Sequence, residues 1–275
     1  MPANAVRQPV LFLPHGGGPC FFMDWTWGPA DTWHVTQRFL EGVPATLPAA
    51  PQALLVVSGH WEEPAFTAGA AAHPELIFDY YGFPEHTYKL TWPAPGDPAL
   101  AARVARLLAE AGLTSATDSH RGYDHGVFVP LKVAFPQASI PVVTLSLAAT
   151  PDLGLDPALH LAAGRALAPL RDEGVLIIGS GMSFHNLRAY FQAETTARAR
   201  AFDAWLTHAV ESPATERDTL LANWRSAPSA AFSHPREEHL APLFVAAGAG
   251  GDAPGKRIFT DEPMAAQISA FRFDG

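Results

Sequence analysis

Apolar positions along the chain follow two alternating patterns. Short continuous apolar runs, rich in β-branched residues and bounded by Pro or Gly, stand at Val10–Leu13, Leu54–Ser58, Pro141–Leu147 and Val175–Gly179. Unbroken apolarity over four to seven residues predicts strands buried on both faces, as in the middle of a sheet. Between them lie helical stripes. Asp97–Ala111 places Leu100, Val104, Leu107 and Leu108 on one side, with Pro98 in its first turn and Gly112 just beyond its end. Asp156–Leu170 repeats this logic with Pro157, Leu159, Leu161 and Leu167, and Thr195–Val210 carries Phe202, Trp205 and Leu206 on one face. A last helix is predicted from near Pro235 to Gly248, and a final strand at Ile258–Phe259 or at Ala265–Phe271. Strands alternating with helices predict one α/β domain over residues 1–275, a central, mostly parallel or mixed sheet flanked by helices. Two stretches break the pattern: Gly16–Trp33, rich in Gly, Trp and Phe, and Glu62–Gly96, rich in Pro, His and aromatics. Long loops of this kind in a compact domain serve as lids or binding loops.

Four of the twelve histidines flank the apolar runs. His15 closes the first, His60 the second, and His185 follows the Val175 run through Gly179-Ser180-Gly181-Met182-Ser183-Phe184. His125 stands just ahead of Val127-Phe128-Val129-Pro130-Leu131, read as a further buried strand. In α/β folds the carboxyl ends of strands converge on one crevice, so imidazoles delivered there by separate strands can surround one metal ion. A metal site at those ends is therefore expected. A fifth candidate, His239, lies in Ser233-His234-Pro235-Arg236-Glu237-Glu238-His239, a helix start that has no structural need of that imidazole. His34, His73, His86, His160 and His208 read as loop, surface or core histidines, and His120 has no strand context. The Gly16–Gly18 run is not a phosphate loop, since neither Gly-Lys-Ser/Thr nor Gly-x-Gly-x-x-Gly follows. Gly179-Ser180-Gly181 is one residue short of a nucleophile elbow.

Composition narrows the class. With 275 residues, 48% apolar, the chain buries a full core, and its net charge of −9 argues against nucleic acid or an anionic membrane as partner. The single cysteine, Cys20, rules out an internal disulfide and a thiolate-rich metal site. No apolar run is long enough to span a bilayer, and Met1–Arg7 leads into the first strand without a signal-peptide pattern, so a cytoplasmic location is expected.

Five segments then carry a resemblance: Leu13-Pro14-His15-Gly16, Val57-Ser58-Gly59-His60-Trp61, Tyr123-Asp124-His125-Gly126, Ser180-Gly181-Met182-Ser183-Phe184-His185-Asn186-Leu187-Arg188 and Glu238-His239-Leu240-Ala241-Pro242-Leu243. In this order they resemble the type III extradiol ring-cleaving dioxygenases, most closely the branch containing the 4,5-DOPA extradiol dioxygenases. Tyr81-Gly82-Phe83-Pro84 and Trp92-Pro93-Ala94-Pro95-Gly96 extend the similarity over roughly residues 9–248. The resemblance implies His15, His60 and His239 as ligands of Fe(II), with Zn(II) a possible occupant as isolated. It implies His185 as acid–base catalyst and His125 as a second histidine facing a catechol, with O2 as co-substrate. Trp61, Tyr81 and Phe184 are the candidate substrate-binding residues, and Phe83 joins them as apolar wall. Gly16-Gly17-Gly18-Pro19-Cys20 departs from the Gly-Ser-Pro of relatives at the substrate loop.

Two other readings fit three histidines: a zinc hydrolase with a metal-activated water, and a non-enzymatic metal-binding scaffold. Dioxygen dependence separates the first, because zinc has no redox chemistry. The presence of both His125 and His185 speaks against the second.

Overall fold

The computed structural model describes residues 5–150 and 154–275; the first four residues of the segment leading into the first strand lie outside them. Eight strands form one sheet: β1 (Val10–Pro14), β2 (Ala53–Glu63), β3 (Phe66–Gly69), β4 (Ser115–Asp118), β5 (Val142–Ala148), β6 (Val175–Gly181), β7 (Lys256–Asp261) and β8 (Ile268–Phe273). Among the described residues eight α-helices accompany them: α1 (His34–Gly42), α2 (Pro98–Glu110), α3 (His125–Ala134), α4 (Pro157–Leu167), α5 (Thr195–Glu211), α6 (Ala214–Ala222), α7 (Ala230–Ser233) and α8 (Ala241–Ala249). The strand order is β4-β3-β5-β2-β6-β1-β8-β7. The central block β5-β2-β6-β1 is parallel throughout, β3 pairs parallel with β4, and β3–β5, β1–β8 and β8–β7 are antiparallel.

The continuous apolar runs are this central block, and period-two alternation assigns their residues to two layers. Val10, Phe12, Leu55, Val57 and Ile177 face one core, shared with Leu161 of α4, Phe202 of α5 and Phe244 of α8. Leu11, Leu13, Leu54, Val56, Leu176 and Ile178 face the other, shared with Leu40 of α1 and Phe128 of α3. Among the described residues no helix is long and apolar enough to cross a membrane.

The structure corrects four sequence expectations. The apolar run after His125 is not a strand but the buried helix α3; a short apolar run has no period that separates the two. Pro130 inside α3 has no N–H for the carbonyl of Gly126, and the Ser180 hydroxyl donates to that carbonyl instead. His60 does not close its strand, because β2 continues to Glu63. The last helix starts at Ala241 rather than near Pro235, with Pro242 in its first turn, so His239 sits in the turn ahead of it. Finally, the two alternatives for a last strand are both strands, β7 and β8, paired antiparallel.

His160 is a core histidine, as its amphipathic context predicts. Its Nδ1–H donates to the Asp156 carbonyl (2.7 Å), and its Nε2 accepts from the Ala148 N–H (3.3 Å). Burial lowers its pKa from 6.5 to about 4. Between those values the unfolded chain binds a proton that the folded chain refuses, so this stability is complete above pH 6.5 and is lost as pH falls toward 4. The loss is about 2 kcal/mol by about pH 5. Melting temperatures of wild type and His160→Gln across this range are expected to converge on acidification; parallel curves would show that His160 is not a source of the acid sensitivity.

Candidate metal centre

Three imidazoles from three places in the chain meet beyond the parallel block. His15 directly follows β1, His60 lies within β2, and His239 lies in the turn ahead of α8. The Nε2 of His60 is 3.3 Å from that of His15 and 3.1 Å from that of His239. The opposite nitrogen of each ring is accounted for. Nδ1–H of His15 donates to the Gly16 carbonyl (2.9 Å), and Nδ1–H of His239 donates to Glu238 Oε1 (3.0 Å). His60 Nδ1 faces Asp79 Oδ2 at 3.6 Å. The partners of His15 and His239 fix their tautomers with the lone pair on Nε2, and the charge of the Asp79 carboxylate favours the same tautomer in His60. With His60 in that tautomer the three lone pairs repel unless a cation lies between them. Bonds of about 2.1 Å from one ion to two imidazoles at roughly right angles put the nitrogens about 3 Å apart. The separations found are those of a site for one divalent ion.

Electrostatics agree. Burial, then the neighbouring histidines His60 and His125, push the pKa of His15 far below 6.5. Burial and the histidines led by His185 do the same to His239. Burial and His125 bring His60 down to about 3, although Asp79 opposes the shift. The cluster is neutral at physiological pH, the state in which imidazole ligates metal.

Two more histidines adjoin the three. The ring of His125 is 3.9 Å from that of His60, and His185 stacks on His239 with centroids 3.4 Å apart and planes 17° from parallel. Nδ1–H of His125 donates to Asp79 Oδ1 (2.8 Å), and His185 Nδ1 lies 3.3 Å from Glu238 Oε1. Burial works to raise the pKa of both carboxylates, but their histidine partners prevail and hold Asp79 and Glu238 below the usual range. Behind His60 the buried Asp124 accepts from Ser58 Oγ (2.8 Å) and Arg121 Nη2 (2.7 Å), while Ser58 Oγ accepts the His60 N–H (3.1 Å).

Local backbone features deliver the ligands. From Val57 to Glu62 the β2 strand advances five residues while its partner advances two, Leu145 to Leu147, and this bulge presents His60. The Gly-Ser-Gly end of β6 is a clearance. The Met182 N–H donates to the His239 carbonyl (3.0 Å), and a Cβ on Gly181 would lie 2.2 Å from that same oxygen. Gly179 likewise makes room for the Pro242 carbonyl.

The five sequence-predicted histidines, His15, His60, His125, His185 and His239, are thus brought together. The aromatic candidates are not. Trp61 is buried, with its indole N–H on Glu63 Oε1 (2.9 Å) and Arg121 4.7 Å over its ring. Phe184 has no exposed surface, packed between Tyr190 and Phe232, while Tyr81 is 90% exposed. The aromatic ring beside the cluster is Tyr80, 5.8 Å from His125, backed by Phe83 at 5.5 Å. His234 is a core residue whose Nε2–H donates to the Ser183 carbonyl (2.9 Å). Nearby, the guanidinium groups of Arg121 and Arg236 pair with Asp124 and Glu62. Sequence reading misses Asp79, an isolated acid in a loop, and takes Glu238 only as a helix-start acid; its adjacency to His239 is the available signal.

The family model and the named relatives carry one description. A family model for the catalytic LigB subunit of aromatic ring-opening dioxygenase matches residues 9–271. The chain is 37% identical over 290 residues to a dioxygenase, tasH, of Hapsidospora irregularis, covering 97% of this chain and 86% of that one. It is 42% identical over 209 residues to a 4,5-DOPA dioxygenase extradiol of Beta vulgaris, 74% of each. The crystal structure of an uncharacterized protein of Escherichia coli K12 superposes with a TM-score of 0.78 at 29% identity, over 98% of this chain and 100% of that one.

Proposed function

The chain belongs to the LigB family of aromatic ring-opening extradiol dioxygenases, and on that premise we propose that it opens a catechol ring with O2 at Fe(II) held by His15, His60 and His239. The observation that carries this reading is the convergence of three Nε2 lone pairs at 3.1 and 3.3 Å with two further histidines against them. Fe(II), when bound, supplies one centre at which catechol and dioxygen meet and through which electron density passes from ring to oxygen.

The protein's share is charge, proton handling and shape. Three neutral imidazoles add no negative charge, so the site favours an anionic catechol more than one containing a carboxylate ligand would. His185, its Nδ1 engaged by Glu238, offers Nε2 as the base that takes a hydroxyl proton and later returns it. His125, its Nδ1–H on Asp79, offers Nε2 to a ring hydroxyl or to the oxygen nearby. Tyr80 and Phe83 line the approach to His125 with apolar surface.

Metal-free protein reloaded anaerobically with Fe(II) is expected to consume O2 with a catechol and form a yellow ring-opened product, whereas Zn(II)-loaded protein does neither. His185→Gln in the Fe(II) form is expected to slow turnover by about 100-fold or more. No uptake across a catechol panel by protein shown to hold Fe(II) would count against the proposal and leave the zinc-hydrolase and metal-binding-scaffold readings, which an ester and amide hydrolysis screen separates.

A further inference from the structure

We propose that Asp79 is a shared positioning residue that holds His60 and His125 at once in the tautomer with Nε2 free. The inference rests on the reading of His15, His60 and His239 as metal ligands. Oδ1 of Asp79 accepts two bonds from His125, from its backbone N–H (2.9 Å) and from Nδ1–H (2.8 Å). Oδ2 faces His60 Nδ1 at 3.6 Å, beyond hydrogen-bond distance but close enough for the carboxylate charge to favour a proton on that nitrogen. One carboxylate therefore spans a ligand on β2 and the first residue of α3.

Its placement is built in. The Ile77 N–H donates to the Tyr123 carbonyl (2.7 Å) and the Tyr123 N–H to the Glu75 carbonyl (2.8 Å), forming a parallel bridge between Leu76 and Tyr123. Gly122 allows this approach, since a Cβ there would meet the Glu75 carbonyl at 2.3 Å. The bridge carries Asp79 to the start of α3, where the side chain of the N-cap residue Asp124 makes no capping bond. Capping α3 is thus one service of Asp79. An amide performs it equally well.

The second service needs an acceptor on both sides, and that separates the two. An asparagine has one acceptor and one donor. If its carbonyl keeps the His125 bonds, its NH2 confronts His60 Nδ1. His60 must then move its proton to Nε2, where the ion binds. If the amide flips, NH2 confronts both N–H groups of His125. Either way one of the two histidines loses its tautomer.

The test is Asp79→Asn, followed by nitrogen-15 NMR of the imidazoles in the metal-free and Zn(II)-loaded full chain, with Zn(II) affinity measured by competition titration. In wild type, His60 and His125 are expected to carry their proton on Nδ1. In the variant the signals of His60 or His125 change type, those of His15 and His239 do not, and Zn(II) binds about 10- to 100-fold more weakly. The unchanged pair reports that the fold is intact. Unaltered tautomers with unaltered Zn(II) affinity would overturn the proposal. The expected shifts in a protein that never consumes O2, variant or wild type, would leave Asp79 in its role and reject the dioxygenase reading instead.

Discussion

His60→Ala is expected to yield a folded protein that no longer holds a divalent ion and no longer consumes O2. His60 is the middle ligand: its Nε2 is the one within 3.3 Å of both His15 and His239. Removing it leaves two imidazoles without the third that closes the face. For wild type, Zn(II) at a hundredfold its Kd adds about 2.7 kcal/mol, which raises Tm by roughly 5–8 °C in a chain of this size. In the variant this increment is expected to vanish. Before metal is added the sign reverses. With His60 protonated on Nδ1, three buried lone pairs face one another in the metal-free fold, and the alanine removes two of the close contacts at a position whose side chain is already 19% exposed. Metal-free His60→Ala is therefore expected to melt no lower than metal-free wild type. A chelator titration followed by scanning calorimetry checks both signs. A metal-free variant that melts far lower would make His60 a packing residue, and an undiminished Zn(II) increment would place the ion elsewhere.

That such a centre is visible in the sequence follows from where its ligands sit. β1, β2, β5 and β6 are buried on both faces, so their central residues read as apolar runs interrupted at most by Ser or Thr, and a polar imidazole beside such a run stands out. β3 and β4 give no such signal. Each has four residues and pairs near the sheet edge, and Ser115-Ala116-Thr117-Asp118 has no apolar face to display. The α3 segment carries the right residue on the wrong element, because full burial removes the polar stripe that marks a helix. Asp79 is out of reach for another reason. It meets His125 through a two-residue backbone bridge between segments some 46 positions apart, and no local pattern encodes that pairing. Tyr81 and Phe184 stand out only as aromatics beside a motif, whereas which aromatic faces the cluster is set by loop geometry that hydrophobicity does not report. Tyr80 and Tyr81 differ by one residue, and one is buried while the other is in solvent.

Gly181→Ala is expected to damage the centre almost as much as removing a ligand, although the residue has no functional group. It is the last residue of β6 and fully buried, and its Cβ would stand 2.2 Å from the backbone oxygen of His239. A side chain can swing aside from such a contact, but a carbonyl moves only with its peptide. The same oxygen accepts the Met182 N–H, so relief of the clash breaks that bond and carries His239 away from His60. Phe12, 3.2 Å from the position the new methyl group would take, closes the other side. Overpacking of this kind costs about 1–3 kcal/mol, on the order of 2–10 °C in Tm, and a displacement of one ligand by about 1 Å is enough to lower turnover by about 100-fold. Gly42→Ala supplies the contrast. Gly42 ends α1 at φ −79° with nothing within 4 Å of a Cβ, so alanine there is expected to be neutral or to stabilise by up to about 1 kcal/mol. The decisive comparison is Zn(II) affinity across the two variants. Loss in Gly181→Ala alone would show that the glycine is there to let the His239 turn lie against the sheet, whereas equal affinity in both would mean that the turn has room to shift without carrying its histidine with it.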